Sequence, residues 1–287
     1  SKAATLMLLT QIGCRNISIA LPQNQVLELE ISNITLSKNQ VTCAVKKYSG
    51  DDPDITNNIF VFSKVSFAEE GISIDGGIGV GRVTKPGLDQ PVGFAAINSV
   101  PRKMIQEECL KVCDEYKYTK GLSIEIFIPE GERLADKTFN KKLGIVGGLS
   151  ILGTTGIVEP MSDSALVETI KAEISVLYND GFNSLILTIG NYGDGFAANE
   201  LGLTIKNHIR SSNFIGESLK IAAEIGFKKV LIIGHIGKMV KLGIGILNTH
   251  SSYGDGRIET FISCALEAGA TLDCLSKINN SISTNAI

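Results

Sequence analysis

The chain has 287 residues, enough for about two globular domains with cores of their own. Hydrophobic residues make up 44% and charged residues 20%, which excludes a disordered or fibrous chain and favours a mixed α/β protein. The formal net charge is −3, so no general attraction to nucleic acid or to an anionic membrane is expected. An anionic ligand would need a local basic patch.

Membrane insertion is not expected, because no apolar run approaches the roughly 18 residues that a spanning helix needs. Residues 1–9 carry one basic residue and a short apolar run with no cleavage pattern after it, so we expect the end of a helix that begins upstream. The six cysteines are scattered, and only Cys109 and Cys113 stand at i, i+4 spacing. This favours buried, reduced thiols in a cytoplasmic protein, with a metal or redox role as the alternative.

The first half of the sequence has the period-two alternation of strands with one buried face. The alternating runs are residues 17–21, 27–31, 41–45 and 124–128. Polar residues 37–40 predict a hairpin turn, and therefore a partly antiparallel sheet. Apolar residues spaced three to four apart predict a helix within 101–116, and the polar stretch 129–142 is a candidate linker.

From residue 143 onward an apolar strand, a Gly-rich loop and an amphipathic helix recur. Strands are predicted at 143–146, 184–189 and 230–233, and helices from about 163 to 179 and from 215 to 225. Repeated βα units indicate a parallel sheet covered by helices on both faces, with ligands at the carboxyl ends of its strands. The predicted domains are therefore an α+β domain, 1–142, and an α/β domain, 143–287.

Residues 147–156 place four glycines and three hydroxyls directly after a predicted strand. Glycine lets backbone N–H groups approach a ligand closely, and hydroxyls add donors, so a small-molecule loop is favoured over a purely structural turn. The spacing matches neither the dinucleotide fingerprint nor a phosphate-binding loop.

Two of the histidines lie in predicted loops. His235 comes directly after a strand, and His250 lies within the polar segment 248–251. Histidine can act there as an acid, a base or a hydrogen-bond donor, and a structural role is an equal alternative. His208 is interpreted as a surface residue, and no spacing supports a zinc site.

Residues 50–54 crowd three carboxylates around a proline, which either raises a carboxyl pKa or attracts a cation, unless the segment is a solvated turn. Residues 76–87 are glycine-rich, but they lie in the strand-rich half with no helix after them, so a dinucleotide site is rejected. Basic residues within and after this segment could form a patch for a polycarboxylate ligand; they are Arg82, Lys85, Arg102 and Lys103.

Several long and unusual segments occur between residues 45 and 260. They are 50–56, 79–88, 96–102, 144–148, 153–162, 212–216, 234–238 and 248–257. Together they resemble the CbiD family, the cobalt-precorrin-5B C(1)-methyltransferases of the anaerobic route to cobalamin. Family members open with a Gly-Tyr-Thr-Thr-Gly type segment before an Ala-rich helix and usually continue past the equivalent of Ile287, so we expect elements at both ends to be missing or shorter here. Residues 47–49 also stand where the family more often has Lys-Asp-Ala, which removes one acid.

The resemblance implies methyl transfer from S-adenosylmethionine to carbon 1 of cobalt-precorrin-5B, giving cobalt-precorrin-6A. It also implies a first domain similar to the second domain of ribosomal protein S5 and a Rossmann-like second domain. The donor would contact the Gly-rich loops through Gly147, Gly148, Gly153, Thr154, Thr155, Gly156, Gly190 and Asn191. Asp51, Asp54, Arg82, Lys85, Arg102 and Lys238 would contact the macrocycle. The catalytic candidates are His235, His250 and Asp52, and no metal ligand is assigned.

Two other functions are open at this point. A non-catalytic tetrapyrrole carrier would keep the basic cleft without a donor site, and a nicotinamide-dependent reductase would need a tighter glycine turn than any present. We expect a small-molecule substrate, no nucleic-acid or membrane partner, a cytoplasmic location and a homodimer as one form of assembly.

Overall fold

The protein is described by a computed structural model, which defines residues 1–21, 25–50, 54–153, 162–190, 192–202 and 206–284. It is a mixed α/β fold that divides into two compact units, Ser1–Ser162 and Asp163–Ile287. Each unit is described by itself.

The first unit is strand-rich, with two longer helices and two short ones. Its elements are α1 (Lys2–Thr10), β1 (Asn16–Ala20), β2 (Val26–Glu30), β3 (Ser32–Leu36), β4 (Gln40–Lys46), β5 (Phe60–Ala68), β6 (Ile72–Gly76), β7 (Gly79–Val80), β8 (Arg82–Val83), α2 (Ser99–Glu115), β9 (Gly121–Phe127), α3 (Gly131–Ala135), α4 (Asn140–Leu143), β10 (Ile145–Val146) and β11 (Gly148–Leu149).

A five-stranded sheet in the order β3-β4-β5-β9-β6 forms the frame of this unit. Neighbouring strands are antiparallel except β6 and β9, which are parallel. Alternate residues such as Val41, Cys43 and Ile124 are buried in one core with Met7 of α1 and Cys109 of α2, because side chains two apart on a strand share a face. The predicted alternation, hairpin turn and helix are confirmed.

Residues 143–149 do not begin the parallel sheet that the sequence predicts. Instead β10 pairs antiparallel with β8, and β11 pairs parallel with β7. The division into compact units falls after residue 162, whereas the domain boundary predicted from the sequence lies after residue 142. The candidate linker 129–142 contains α3 and α4, and Leu134 and Ala135 are buried in the first unit's core, so the linker prediction is wrong.

The second unit alternates helices and parallel strands. Its elements are α5 (Asp163–Asn179), β12 (Ser184–Ile189), α6 (Tyr192–Asn199), β13 (His208–Arg210), α7 (Ile215–Ile225), β14 (Lys229–Gly234), α8 (Ile236–Met239), α9 (Arg257–Glu267) and α10 (Leu272–Asn279), with 3₁₀ turns at Val240–Ile244 and Ser251–Tyr253.

The three strands form a parallel sheet in the order β13-β12-β14, with helices on both faces. Leu185 and Leu187 of β12 are buried in a core to which α5 and α7 contribute, whereas Ile186 faces the other way and packs with Ala197 of α6. The predicted strands and helices of this half are confirmed from residue 163 onward.

The six cysteines differ in burial, and Cys14 is half-buried. Cys43, Cys109 and Cys113 are buried, and burial raises the pKa of each of these thiols. Cys264 and Cys274 are exposed, so the expectation that the thiols are buried is wrong for these two. Within the described ranges, no helix is long and apolar enough to cross a membrane, and no group of three or more His, Cys, Asp or Glu residues could hold a metal ion.

Candidate functional site

The carboxyl ends of the three parallel strands meet at one edge of the second unit's sheet. Gly190 follows β12, the loop 211–214 follows β13, and His235 follows β14. Ser211 is tied to the central strand, since its backbone N–H and its hydroxyl both donate to the Thr188 carbonyl, at 3.0 and 3.2 Å. This edge is the candidate functional site, and we call it the strand-end site.

Asn213 joins three segments at the strand-end site. Its side-chain Oδ1 accepts from the Lys238 Nζ at 2.9 Å and from the Thr249 Oγ1 at 3.0 Å. Its backbone carbonyl accepts from the Thr249 N–H at 3.0 Å, and Phe214 forms an antiparallel bridge with Asn248. Both lone pairs of the amide oxygen are therefore used, which fixes the direction in which Lys238 extends.

A neutral acceptor, the Asn213 amide oxygen, orients the Lys238 ammonium at this site. Lys238 is half-buried, and none of the described carboxylates forms an ion pair with it. A Cβ at Gly190, which has a φ of +76°, would lie 3.9 Å from the Lys238 Nζ, so the ammonium reaches the end of β12.

A second lysine adds to the positive potential. Lys241 is only 5% exposed, and its Nζ donates to the carbonyls of Thr249 and Gly254, at 3.3 and 2.8 Å. The carboxylate of Asp255 is paired with Arg257, whose hydrogen bonds hold the pKa of Asp255 below its ordinary value. The arrangement therefore favours an anion at the strand-end site.

Both candidate histidines are exposed and cap short helical turns. The His235 Nδ1 accepts from the Gly237 N–H at 3.1 Å, and the His250 Nδ1 accepts from the Ser252 N–H at 3.2 Å. A ring nitrogen that accepts from a backbone N–H carries no proton, so each neutral ring has its proton on Nε2. Both side chains thus present an N–H donor to solvent.

The predicted acidic turn is only partly described, because Asp51 and Asp52 lie outside the described residues. Asp54 contacts the Lys47 ammonium and accepts from the Thr56 N–H and Oγ1, both at 2.7 Å. Burial raises the pKa of Asp54, but these hydrogen bonds from Lys47 and Thr56 outweigh it, and the pKa lies below its ordinary value. Asp54 is therefore paired with a cation of the chain itself, and the expectation for the three crowded carboxylates together stays a prediction.

The basic residues predicted in the first unit have internal partners. Arg82 forms a two-point pair with Asp75, at 2.7 and 2.9 Å, and donates to the Gly76 carbonyl. Arg102 donates to three backbone carbonyls, those of Ile97, Ile74 and Ala95, at 2.8, 2.6 and 3.2 Å. The methylene stem of Lys85 lies against Gly144, where a Cβ would be 2.5 Å from its Cγ.

The glycines predicted to bind the donor are divided between the units. Gly147, Gly148 and Gly153 belong to the first unit, and Gly190 belongs to the second. A Cβ at Gly148 would lie 2.3 Å from the Gly79 carbonyl, so this glycine allows β11 and β7 to pair closely. Thr154, Thr155, Gly156 and Asn191 lie outside the described residues.

Sequence reasoning missed two groups of residues at the strand-end site. Asn213 and Thr249 were included only in motifs. Asn213 lies in the polar loop 211–214 after β13, and such a loop at the carboxyl edge of a parallel sheet is itself an indication. His208, interpreted as a surface residue, lies in β13, and its Nε2 is 2.7 Å from the buried Thr188 Oγ1.

Comparison with known proteins identifies relatives along the whole chain. The CbiD family matches residues 1–160. The cobalt-precorrin-5B C(1)-methyltransferase of Ruminiclostridium cellulolyticum is 46% identical over 286 residues, which cover 100% of this chain and 74% of that protein. The protein of the same name from a Thermoanaerobacter species is 45% identical over 285 residues, covering 99% and 77%.

A crystal structure of a cobalamin biosynthesis protein (cbiD) from Archaeoglobus fulgidus is 26% identical, with a TM-score of 0.43, and the alignment covers 93% of this chain and 80% of that one. The family match spans more than half of the chain, and the curated relatives are similar over nearly all of it. This chain belongs to the CbiD family.

Proposed function

We propose that this chain transfers a methyl group from S-adenosylmethionine to carbon 1 of cobalt-precorrin-5B, giving cobalt-precorrin-6A. The observation that carries the proposal is the 46% identity over the whole chain to a protein named for this methyl transfer. Because fold alone does not determine function, the residues of the strand-end site must also suit the reaction.

The reaction breaks the S–CH₃ bond of a sulfonium, leaves its electron pair on sulfur and forms a C–CH₃ bond to a ring carbon. Sulfur, methyl and carbon must therefore be held nearly in line, with water excluded. The macrocycle carries many carboxylates, which pair well with fixed cations and N–H donors. Lys238 and the exposed Nε2–H groups of His235 and His250 are of this kind.

We place the donor at the strand-end site and interpret the second unit as Rossmann-like. Its three parallel strands, the glycine at the end of β12 and the helices on both faces support this assignment. Gly147, Gly153, Thr154, Thr155, Gly156 and Asn191 stay proposed donor contacts, whereas we assign Gly148 to the close pairing of β11 with β7. The likeness of the first unit to the second domain of ribosomal protein S5 also stays a proposal.

The catalytic and acidic residues keep their proposed roles. His235 and His250 would hold a proton at Nε2 near the macrocycle, and Asp52 with Asp51 would balance the sulfonium charge. Asp54 already pairs with Lys47, so its proposed contact with the macrocycle would need that pair to open.

The direct test is anaerobic incubation of the purified chain with cobalt-precorrin-5B and S-adenosylmethionine carrying a trideuterated methyl group. We expect mass spectrometry to show one labelled methyl group in the corrinoid and an equal amount of S-adenosylhomocysteine. A reaction with unlabelled donor is the control. Tight corrinoid binding without a labelled product would contradict the proposal and favour the tetrapyrrole carrier.

We also propose a cytoplasmic location, supported by six cysteines with no disulfide among them. The homodimer stays a prediction, which light scattering of the purified chain tests.

A further inference from the structure

The partner of Lys238 is a neutral amide rather than a carboxylate. Asn213 Oδ1 accepts from the Lys238 Nζ at 2.9 Å, and the 4%-exposed Thr249 anchors the same oxygen from its other side at 3.0 Å. An aspartate at position 213 could accept the same two hydrogen bonds, because it differs from asparagine only in replacing the amide NH₂ by a second oxygen. The difference between the two is charge.

A neutral acceptor orients an ammonium without cancelling its charge. Of the carboxylates near this site in the described residues, Asp255 is already paired with Arg257. Lys241, three residues along the chain from Lys238, likewise contacts neutral carbonyl oxygens. Among the residues that the structure describes, no carboxylate pairs with Lys238, so its positive charge is available to a ligand.

We propose that Asn213 is a positioning residue that holds the Lys238 ammonium, with its charge uncancelled, to bind a carboxylate of the ligand. The inference rests on the proposed function, because that function supplies ligands with carboxylates. Asn213 contacts the lysine and the Thr249 loop, and it acts on the ligand through Lys238.

The local backbone supports the direction in which Lys238 extends. Ser212 has a φ of +51°, a left-handed conformation that turns the chain just before Asn213. Ser211 anchors the start of this turn to β12, and the absence of a side chain at Gly190 leaves space beside the Lys238 Nζ. The Lys238 ammonium is thus held by Asn213 on one side and has space beside it at Gly190.

Carboxylates from two sources share this chemistry. One is on the methionine end of the donor, and the others are on the acetate and propionate arms of the macrocycle. S-adenosylhomocysteine carries the first, and 5′-methylthioadenosine has the same nucleoside without the amino-acid carboxylate. The two compounds differ in the α-ammonium as well as the α-carboxylate. Because Lys238 attracts only the carboxylate, weaker binding of S-adenosylhomocysteine alone after loss of the Lys238 charge reports on the donor carboxylate, and the Kd of cobalt-precorrin-5B reports on the macrocycle.

The decisive pair of variants is Asn213→Asp and Asn213→Ala. If Asn213 were only structural, alanine would do more harm, because it loses both hydrogen bonds. The proposal predicts the opposite order for binding. Asn213→Asp cancels the Lys238 charge and should raise the Kd for the carboxylate ligand by about tenfold to a hundredfold, whereas Asn213→Ala should raise this Kd only a few-fold. Thermal unfolding should still show Asn213→Ala as the less stable protein.

Lys238 variants complete the test. Lys238→Met should raise the Kd of the same ligand that Asn213→Asp affects. Lys238→Arg should keep most of the wild-type affinity because the positive charge remains. Lys229→Met is the matched control, since Lys229 is exposed at the start of β14, at the opposite end of the strand, and should leave every Kd unchanged. All Kd values come from calorimetry on chains with wild-type circular dichroism.

The outcomes show whether Lys238 binds the donor carboxylate or a macrocycle carboxylate, and they distinguish failure of the inference from failure of the proposed function. A higher Kd for S-adenosylhomocysteine with no change for 5′-methylthioadenosine assigns Lys238 to the donor, and a higher Kd for cobalt-precorrin-5B alone assigns it to the macrocycle. Unchanged binding in folded Asn213→Asp, or weaker binding in Asn213→Ala than in Asn213→Asp, would overturn the inference. A wild-type chain that binds but does not transfer methyl would defeat the proposed function, while the order of the two variants would still decide the inference. A wild-type chain that binds neither ligand overturns both.

Discussion

The basic residues selected from the sequence have different partners in the two units. In the first unit, Arg82 is paired with a carboxylate and Arg102 donates to three main-chain carbonyls. In the second unit, Lys238 contacts a neutral amide. A basic residue in a motif thus stabilises the fold in the first unit, whereas in the second unit its charge is available to a ligand.

The difference lies in what each cation would lose when a ligand binds. Arg102 would have to withdraw its guanidinium from three carbonyls. The Ala95 carbonyl also accepts from the Ile97 N–H at 2.7 Å, but a buried acceptor that is left with no donor costs about 1 to 3 kcal/mol. Lys238 can accept a carboxylate while its bond to Asn213 stays in place, because an ammonium has three donors. The hydrogen bonds that a cation makes within the protein therefore distinguish a cation that stabilises the fold (a scaffold cation) from one that binds a ligand (a binding cation). They do so better than the position of the residue in a sequence motif.

The largest effect is expected at Gly148, whose substitution tests whether the first unit's glycines serve packing. Gly148→Ala would place a Cβ 2.3 Å from the Gly79 backbone, and neither backbone can move without breaking the β7–β11 pair. We expect a loss of about 3 kcal/mol or more in the free energy of unfolding, measured in urea. The folded fraction should bind S-adenosylhomocysteine with wild-type Kd.

The neighbouring glycine is the matched control. A Cβ at Gly147 would meet nothing within 4 Å, but the φ of +83° is unfavourable for alanine. Gly147→Ala should therefore cost about 1 to 2 kcal/mol from backbone strain alone. If Gly148→Ala were as stable as wild type yet failed to bind S-adenosylhomocysteine, Gly148 would be a donor contact rather than a packing residue.

A smaller loss is expected when the guanidinium of Arg102 is removed. Arg102→Met keeps most of the side-chain volume but leaves the carbonyls of Ile74, Ala95 and Ile97 without this donor, for a loss of about 2 to 3 kcal/mol in urea unfolding. The adjacent, 76%-exposed Lys103 provides the control, and Lys103→Met should change stability by less than about 0.5 kcal/mol. A stable Arg102→Met protein with a raised KM for the corrinoid would contradict the scaffold role.

Periodic elements were predictable because their pattern is local. The strands β4, β9 and β12 and the helices α2, α5 and α7 each repeat an apolar residue at the spacing of their own geometry. The strands β10 and β11 are two residues long, so they carry no period. Their partners β8 and β7 lie more than sixty residues earlier in the chain, and the close approach depends on Gly79 and Gly81. A strand was expected at 143–146, but its sheet could not be identified from its residues.

The strand-end site was predictable to the same limited extent. Lys238 and Gly190 could be selected because they follow strands, whereas the contact between Lys238 and Asn213 spans 25 residues. Arg102 shows the converse, since its contact with the Ile74 carbonyl spans 28 residues and could not be read from a Pro-Arg motif. Which cations are satisfied internally is decided by tertiary contacts.

The smallest effect is expected at Arg82. This variant is the most demanding test of the comparison between cations paired within the protein and cations available to a ligand. The side chains of Arg82 and Asp75 are 41% and 60% exposed, so the pair contributes less than about 1 kcal/mol and Arg82→Gln should destabilise by no more. The hydrogen bonds of Arg82 hold the pKa of Asp75 below its ordinary value, so their contribution is present above the unfolded pKa of about 3.9 and is lost as the pH falls through the lower folded value.

Urea unfolding of Arg82→Gln and wild type should accordingly differ slightly at pH 7 and converge in acid, with the corrinoid KM unchanged. An exposed pair is also the easiest for a ligand to open, because Asp75 can return to water at little cost. A KM raised by more than about tenfold, with stability almost unchanged, would mean that the guanidinium leaves Asp75 for a ligand carboxylate. Arg82 would then be a binding cation with an internal counter-ion, and exposure of the pair, rather than the charge of its partner, would be the property that separates the two kinds of cation.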